Sequence, residues 1–261
     1  MDKMKILTIL QARVSSSRLP GKVLKMVSGK PMLLQQIERI QRVPSIEQII
    51  VATSTSQSDD NLVDVLREQN INVFRGSLNN VLDRFYKAAS KYNAEHVIRL
   101  TGDCPLSDPD IIENVIQQHF ELNVDYTSNT LPASFPDGLD VEIFRFECLE
   151  KAWKEAILPS EKEHVTSYIR NNVEKFTHSN VKSSQDLSSM RWTVDEPEDF
   201  EFIEKVYQKL YSKNTVFNMS DVLAYLQNHP NLTKINKHIQ RNEGTKKSYE
   251  LDRIFLEGSD K

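Results

Sequence analysis

A fourfold alternation of short apolar runs with amphipathic helical patterns most constrains what this chain can fold into. The apolar runs are rich in Ile and Val, which is typical of strands buried on both faces of a parallel sheet. Repeats of this kind predict an α/β fold with a doubly wound, mostly parallel central sheet flanked by helices. The predicted strands are 6–10, 49–52, 72–74 and 96–100, and the predicted helices are 32–42, 59–69, 81–92 and 109–122.

The loops after these strands form the candidate site, because ligands of doubly wound sheets bind outside the carboxyl ends of the strands. These loops are 11–30, 53–58, 75–80 and 101–107. The pattern therefore locates a site before any chemical motif is considered.

The second half of the chain is less regular and predicts a smaller insertion on the same fold. A capping box, Ser160 with Glu163, is expected to begin a helix there. The segment 241–261 is polar and charged and is interpreted as a C-terminal tail. Further strands are expected at 125–129, 141–146, 176–181 and 190–194, and further helices at 160–171, 198–210 and 220–227.

Composition excludes several classes of protein. The net charge of −4, from 33 basic and 37 acidic residues, leaves no global basic field for nucleic acid. Two cysteines, Cys104 and Cys148, are too few for a disulfide framework and lack metal-ligand spacing. The apolar run near the N-terminus has about six residues, well short of the roughly 20 that span a membrane. We therefore expect a soluble, cytoplasmic protein with no nucleic-acid or membrane partner.

The loop after the first predicted strand carries a local positive charge. Seven basic residues and no acidic residue lie between Asp2 and Glu38. Serine hydroxyls and exposed backbone N–H groups beside cationic side chains can cradle a polyphosphate. A solvated basic loop is the alternative, and the loop is not a Walker A motif, because the required earlier Gly and the following Ser or Thr are absent. The residues concerned are Arg13, Ser15, Ser16, Ser17, Arg18 and Lys22.

Two acidic residues follow strand-like runs. Asp103, in the segment 101–105, comes at the end of a central strand and is well placed for a hard metal such as Mg²⁺. A turn Asp that caps its own loop is the alternative. Asp195 precedes Glu196 and Pro197, so a helix N-cap is the alternative there. The sequence alone leaves open whether both acids reach one pocket.

Three motifs, taken in order, resemble those of the cytidylyltransferases that make CMP-activated acidic sugars. The motifs are QARxxSxRLPGK from Gln11, TGDCP from Thr101 and RWTVDEPED from Arg191. This family includes the CMP-Kdo and CMP-acylneuraminate synthetases, and the similarity is greatest with the SpsF-type branch, named for spore-coat polysaccharide synthesis. Nearly all of residues 4–250 are covered, because further matching segments are 75–89, 135–144, 163–169 and 235–248.

The resemblance implies a Rossmann-like nucleotide-diphospho-sugar transferase fold, CTP as donor, Mg²⁺ as cofactor, release of pyrophosphate, and a homodimer. It implies one cytidylyltransferase domain over 1–240, with a nucleotide half over about 1–122 and an acceptor and dimerisation half over about 123–240. The better-known synthetases begin the first loop with Pro-Ala-Arg, whereas this chain has Gln11, as is usual in the SpsF-type branch. The identity of the small-molecule acceptor stays open.

The resemblance and the loop positions together assign roles to individual residues. The expected catalytic residues are Arg13, Lys22, Asp103 and Asp195, and the two acids are also the expected metal ligands. Nucleotide contacts are expected from Gln11, Ala12, Arg13, Ser15, Ser16, Arg18, Lys22, Thr53, Arg75, Gly76, Ser77, Thr101 and Gly102. Acceptor contacts are expected from Asp137, Asp140, Glu142 and His164, with turn, strand-face or packing roles as alternatives.

Some alternatives stay open at this point. Asp83 and Arg84 either pair locally or line the nucleotide pocket. A nucleotidyltransferase of the same fold acting on a phosphorylated or phosphonate non-sugar acceptor is the second candidate enzyme, and a non-catalytic nucleotide-binding module is a third function. A glycosyltransferase is disfavoured, because the loop 101–105 lacks a clustered Asp-x-Asp.

Overall fold

The structure of the chain is a computed structural model that describes residues 5–241 and 243–259. Residues 1–4, 242 and 260–261, which the sequence analysis assigned to the domain and the tail, lie outside the described residues.

A mixed, mostly parallel sheet forms the centre of the described chain. Its strand order is β5-β4-β1-β6-β8-β7-β9, and a separate two-stranded hairpin joins β2 and β3. The first four strands in this order are mutually parallel, and β8 alone runs antiparallel to both of its neighbours. The strands are β1 Ile6–Gln11, β2 Met26–Val27, β3 Lys30–Pro31, β4 Ile49–Ser54, β5 Asn72–Gly76, β6 His96–Thr101, β7 Tyr126–Ser128, β8 Glu142–Arg145 and β9 His178–Asn180.

Helices connect and cover the strands. The fourth predicted helix begins as expected, because the Asp108 carboxylate accepts hydrogen bonds from the backbone N–H groups of Asp110 and Ile111 beside Pro109. The helices are α1 Met32–Ile40, α2 Asp60–Glu68, α3 Val81–Lys91, α4 Pro109–Leu122, α5 Phe146–Glu155, α6 Pro159–Glu163, α7 Ser167–Asn171, α8 Pro197–Leu210, α9 Met219–Gln227 and α10 Glu243–Ser259. Short 3₁₀ turns occupy Lys22–Leu24, Gln57–Asp59 and Leu232–Lys234.

The sheet is buried on both faces, as its continuous apolar runs predict. Ile9 and Leu10 are adjacent and both fully buried, yet they belong to different core clusters, because successive strand residues point to opposite faces. The Leu10 cluster packs against α1, α2, α4, α8 and α9. The Ile9 cluster packs against α3, α5 and α7.

The parallel register places the predicted site loops at one edge of the sheet. Gln11, the last residue of β1, is opposite Ala52 of β4 and Thr101 of β6. Thr53 of β4 is in turn opposite Arg75 of β5. The prediction of a doubly wound α/β fold with its loops at a common edge is therefore confirmed.

The segment 190–194 is not a strand, contrary to the sequence prediction. It forms only an isolated bridge between Arg191 and Asp137, in which the backbone N–H of Trp192 donates to Asp137 O at 2.6 Å. The segment opposite it, around Asp137, is a turn rather than a strand, so the backbone hydrogen bonds do not continue into a β-ladder. Gly138 in that turn has φ of 105°, and a Cβ there would lie 2.5 Å from the backbone N of Thr193. Glycine therefore allows the close approach.

The single helix predicted over 160–171 is also wrong, because the chain forms α6 and α7 with a break between them. Val165 at the break has φ of 54°, which does not continue a helix. The break turns the Thr166 hydroxyl toward Glu142, to which it donates at 2.6 Å. The first helix, α6, begins at Pro159, one residue before the predicted start. The predicted capping box of Ser160 and Glu163 does not form, because Leu158 is the N-cap residue and its backbone N–H donates to Glu161.

Two helices were not predicted. The first is α5, and the second is α10, which occupies most of the predicted polar tail and packs against α6. The Asp252 carboxylate of α10 accepts a 2.8 Å hydrogen bond from the backbone N–H of Ser160. A search of the described helices finds none with both the length and the apolar content needed to cross a bilayer.

Candidate active site

A cavity of about 760 Å³ opens at the carboxyl edge of the sheet. Its walls come from the first loop, the loop after β6, the turn before β8, the break between α6 and α7, and the C-terminal segment. The structure thus brings both halves of the chain to one space. The sequence-predicted site residues that line it are Gln11, Ala12, Arg13, Ser16, Arg18, Lys22, Thr101, Gly102, Asp103, Asp137, Asp140, Glu142, His164 and Asp195.

Five residues that were predicted to contact the nucleotide are absent from the described lining of this cavity. They are Ser15, Thr53, Arg75, Gly76 and Ser77. The Thr53 hydroxyl is fully buried and donates to Asp59 at 2.9 Å, and the same carboxylate accepts from the backbone N–H of Val14 at 2.8 Å. Thr53 therefore helps to fasten the first loop to β4 instead of facing a ligand.

Arg75 is turned away from the cavity by its own partners. Its guanidinium donates to the backbone oxygens of Ser54 and Ser56 at 2.9 and 2.8 Å and pairs with Asp60 at 2.7 Å. The Ser77 hydroxyl accepts a 3.1 Å hydrogen bond from the backbone N–H of Asn80, the N-cap residue of α3. These contacts tie β5 to its neighbours and leave the cavity wall to other residues.

Lys22 joins the two predicted metal-binding acids. Its Nζ lies 3.3 Å from Asp103 Oδ2 and 2.9 Å from Asp195 Oδ1, and it donates to the backbone oxygen of Val194 at 2.7 Å. Burial alone would lower the pKa of Lys22, but the two carboxylates outweigh it and raise that pKa. Gly21, with φ of 70°, begins the 3₁₀ turn that presents the lysine. The cation between the two acids in this structure is therefore an ammonium group.

Backbone contacts hold the two acids together although they are distant in sequence. The N–H of Val194 donates to Asp103 O at 2.8 Å, and the Thr193 hydroxyl donates to the same oxygen at 3.2 Å. Burial would raise the pKa of Asp103, but the Lys22 charge and hydrogen bonds from Thr101 and Cys104 hold it below its usual range. Both carboxylates are thus positioned at one point of the cavity.

Arg191 supports Asp195 from behind. Its guanidinium contacts Asp195 Oδ2 at 3.2 Å and both carboxylate oxygens of fully buried Asp199 at 2.9 Å. Asp199 also accepts from the backbone N–H groups of Asp195 and Glu196. Bidentate pairing of this kind fixes geometry as well as charge. Arg18 completes the arrangement, with its NH2 3.0 Å from Asp195 Oδ1 and its NH1 3.3 Å from Glu196.

Glu142 lies at the other end of the cavity in a fully bonded environment. Its carboxylate accepts from the hydroxyls of Tyr126 and Thr166, both at 2.6 Å, and pairs with Arg99. Burial would raise the pKa of Glu142, but Arg99, Arg170 and the two hydroxyl donors lower it to about 2. The residue is an anion that orders its arginine neighbours.

Asp137 and Asp140 share one arginine, Arg241, and Asp137 also contacts Arg191. Arg241 approaches Asp140 Oδ1 at 2.7 Å and Asp137 Oδ1 at 3.6 Å, while Arg191 contacts Asp137 Oδ2 at 3.1 Å. Burial and the nearby Asp140 charge raise the pKa of Asp137 to about 7, although Arg241 and Arg191 act in the opposite direction. Arg191 therefore connects the predicted acceptor end of the cavity to Asp195.

His164 forms a polar bridge to the C-terminal helix. Its Nε2 lies 2.9 Å from the Ser248 hydroxyl, which donates to Glu163 Oε2 at 2.9 Å. Burial lowers the pKa of His164 and favours the neutral ring. In this series of hydrogen bonds Ser248 lies between His164 and Glu163, whereas in a nucleophilic triad the histidine lies between the serine and the acid. Ser248 and Leu251 therefore contribute a wall of the cavity and not a hydrolytic site.

The lining carries more positive than negative charge, in a chain whose net charge is negative. Among the described residues that line the cavity, eight are Arg or Lys and six are Asp or Glu. A cavity with this balance suits anionic ligands. Sequence reasoning assigned no role to four of the cations, which are Arg99, Arg170, Arg191 and Arg241, and left open whether Arg84 pairs locally or lines the nucleotide pocket. The sequence did carry a signal for Arg84, because a charged residue on the otherwise apolar face of α3 indicates a buried cation.

The acid pair fits a magnesium ion carried by phosphates better than a metal caged by protein. Within residues 5–241 and 243–259, no group of three or more His, Cys, Asp or Glu side chains is arranged to hold a metal. Mg²⁺ is commonly held by one or two carboxylates together with substrate phosphates and water. Asp103 and Asp195, which are partly exposed to the cavity, meet that requirement.

Known proteins resemble this chain over most of its length. A family model described as cytidylyltransferase matches residues 7–239. The spore coat polysaccharide biosynthesis protein SpsF of Bacillus subtilis is 33% identical over 232 residues, which cover 86% of this chain and 95% of that protein. The 3-deoxy-manno-octulosonate cytidylyltransferase of Geobacter sulfurreducens is 34% identical over 115 residues, or 43% of this chain and 44% of that protein.

A solved structure extends the similarity to three dimensions. A cytidylyltransferase from Leptospira borgpetersenii serovar Hardjo-bovis has a TM-score of 0.84 and 30% identity, covering 88% of this chain and 97% of that one. The resemblance predicted from the sequence motifs is confirmed.

Proposed function

This chain belongs to the cytidylyltransferase family and is a CTP-dependent nucleotidyltransferase, and on that premise we propose that it transfers CMP to an acidic sugar and releases pyrophosphate. The observation that carries the proposal is one cavity lined both by the basic loop with the acid pair and by Asp137, Asp140 and the arginines of the second half. The name of the Bacillus subtilis relative supports a role in surface polysaccharide biosynthesis.

The reaction places most of its demands on positioning and charge. A hydroxyl oxygen of the acceptor attacks the α-phosphorus of CTP, and pyrophosphate leaves in line. Arg13, Arg18 and Lys22 hold the phosphates, with Ser16 contributing a hydroxyl from the same loop. Lys22 must exchange part of its contact with the acids for contact with phosphate.

A divalent metal is general in cytidylyltransferases of this kind, and we propose Mg²⁺ at Asp103 and Asp195. When bound, Mg²⁺ neutralises charge on the phosphates as pyrophosphate departs. The contribution of the chain is to hold both carboxylates in place through contacts with Lys22, Arg18 and Arg191.

The far end of the cavity suits an acceptor that has both hydroxyl groups and a negative charge. Asp137 and Asp140 offer carboxylate oxygens that accept hydrogen bonds from sugar hydroxyls. Arg241 and Arg99 offer guanidinium groups, whose fork geometry matches a carboxylate. Leu251, from α10, closes this end of the cavity.

Two further statements stay predictions. A homodimer is expected, with the half over 123–240 as the surface for it. A cytoplasmic location is expected, and the free, buried state of Cys104 and Cys148 is consistent with reduced thiols.

A pyrophosphate-release assay tests the proposal. Four nucleoside triphosphates, CTP, UTP, GTP and ATP, are each offered with 3-deoxy-manno-octulosonate, N-acetylneuraminate, glycerol 3-phosphate or ribitol 5-phosphate. We expect release with CTP and an acidic sugar. Pyrophosphate release only with the phosphorylated polyols would show that the acceptor is a phosphorylated alcohol and not an acidic sugar. No release with any pair would contradict both acceptor classes.

A further inference from the structure

Arg84 on α3 is a buried cation in the cavity wall, and the sequence left open whether it pairs locally or lines the nucleotide pocket. Its exposed fraction is 2%, and it lines the cavity together with Arg13 and Asn79. Its NH1 donates to the backbone oxygen of Ser77 at 2.8 Å. Its Nε has no hydrogen-bond partner in the described part of the chain. The side chain is therefore anchored at one point and unsatisfied at another.

The charge of Arg84 is not balanced by a bound carboxylate. No ion pair to Arg84 occurs among residues 5–241 and 248–258, whose side chains the structure describes. Burial, and then the charge of Arg13, lower the pKa of Arg84 to about 10. The Asp59 charge acts in the opposite direction, but that carboxylate is already bound by the N–H of Val14, the Thr53 hydroxyl and the N–H of Ser54. A buried cation without an anion is costly unless a ligand supplies one.

The neighbouring strand is shaped to make room for this arginine. A Cβ on Gly76, the last residue of β5, would lie 2.9 Å from Arg84 Cγ and 3.2 Å from Arg84 Cβ. Contacts below 3.0 Å force a shift, and here the atom that must move belongs to the stem of the side chain rather than to its flexible end. Gly76 thus keeps the Arg84 stem in place without touching the cavity itself.

We propose that Arg84 is a phosphate-binding residue for the triphosphate of CTP, acting beside Arg13 from the wall of the cavity. Both guanidinium groups line the same cavity, and a polyphosphate supplies an anion that neither obtains from the side chains of residues 5–241 and 248–258. The inference rests on the proposed function only in taking CTP as the donor, and it requires no particular acceptor. Gly76 and Ser77 act through Arg84 as positioning residues.

Binding of tripolyphosphate tests this directly, because that probe has phosphates and no base, ribose or acceptor. Titration calorimetry in metal-free buffer compares the wild type with Arg84→Met, Arg84→Lys and the control Arg145→Met. Arg145 is a partly buried arginine that pairs with Asp125 outside the cavity. We expect Arg84→Met to weaken tripolyphosphate binding about tenfold or more, Arg84→Lys to recover part of that loss, and Arg145→Met to bind as the wild type does.

A purely structural role for Arg84 gives a different result. In that case Arg84→Met lowers the unfolding temperature but binds tripolyphosphate as tightly as the wild type, which would overturn the proposal. If Arg84→Met does not fold, nuclear magnetic resonance of arginine Nε–H groups in the wild type decides, with Arg84→Lys used for assignment. The Arg84 signal should shift when tripolyphosphate is added, and an unmoved signal at saturation would overturn the proposal. Failure of the acidic-sugar proposal would leave either result unaffected.

Discussion

Lys22 Nζ lies 2.9 Å from Asp195 Oδ1, although 173 positions separate the two residues in the chain. The lysine belongs to the basic loop after β1 and the aspartate to the irregular segment before α8. The same Nζ also approaches Asp103. The contact therefore joins the basic loop to both acids at one point of the cavity.

Replacing Lys22 by Met should weaken CTP binding about tenfold or more. The substitution removes a charge-assisted hydrogen bond to phosphate, which is worth about 1.5–3 kcal/mol, and about 1.4 kcal/mol corresponds to tenfold in affinity. Titration calorimetry with CTP measures the effect. Lys25→Met is the matched control, because Lys25 is an exposed lysine of the same loop outside the cavity lining. Equal CTP affinity in Lys22→Met and the wild type would show that the loop is wrongly assigned.

Asp103→Asn and Asp195→Asn should each abolish most turnover while the fold is retained. The two acids act as a unit around one cationic centre, so the double variant should lose far less than the product of the single losses. Steady-state pyrophosphate release and circular dichroism are the measurements. Asp186→Asn, on an exposed loop where Asp186 accepts from Ser188, is the control. Independent, multiplicative losses would argue against a shared site.

Asp140→Asn should raise the KM for the acceptor and leave the affinity for CTP near that of the wild type. Asp140 lies in the turn before β8, lines the cavity and pairs with Arg241. Acceptor kinetics and CTP calorimetry on the same preparation separate the two effects. Loss of CTP binding with unchanged acceptor kinetics would contradict the division of the cavity into two ends.

Glu142 should make folding stability depend on pH in the acidic range. Burial would raise its pKa, but Arg99 and the surrounding donors lower that pKa to about 2, below its usual value of 4.5. The unfolded chain then binds a proton at higher pH than the folded chain does, so this contribution is full above about pH 4.5 and is lost as the pH falls toward 2.

Urea unfolding of the wild type and Glu142→Gln at pH 6 and pH 3 tests this. The difference in unfolding free energy between the two proteins should narrow by on the order of 2 kcal/mol at the lower pH. A difference that is the same at both pH values would mean that Glu142 has an ordinary pKa in the folded chain.

The first half of the fold could be predicted because its information is local. Apolar periodicity within six to fourteen residues fixes each strand and helix from β1 to α4, apart from the short hairpin of β2 and β3. The parallel arrangement then places the loops at one edge. The second half could not be predicted to the same degree, because its extended and broken segments depend on distant partners. The backbone at 190–194 follows a turn at Gly138, and the break at Val165 brings Thr166 to Glu142.

The candidate site shows the same limit. Lys22 and Asp103 lie in loops whose place follows from the sheet, whereas Asp195 reaches the same cavity from a segment that is not a strand. Thr53 and Arg75 occupy equally suitable loop positions, yet buried partners such as Asp59 and Asp60 turn them away. Whether a loop side chain is bound by a neighbouring residue depends on the tertiary structure, which the sequence pattern does not show.

The most direct measurement of the central claim follows the α-phosphorus of CTP. CTP labelled there is incubated with Mg²⁺ and each acidic sugar, and the products are separated for the wild type and for Asp103→Asn. The account predicts that the wild type places the label in a CMP-sugar and releases one pyrophosphate for each label transferred, while Asp103→Asn does neither. Label found only in free CMP, or a terminal phosphate of CTP found on the acceptor, would contradict cytidylyl transfer as the reaction of this site.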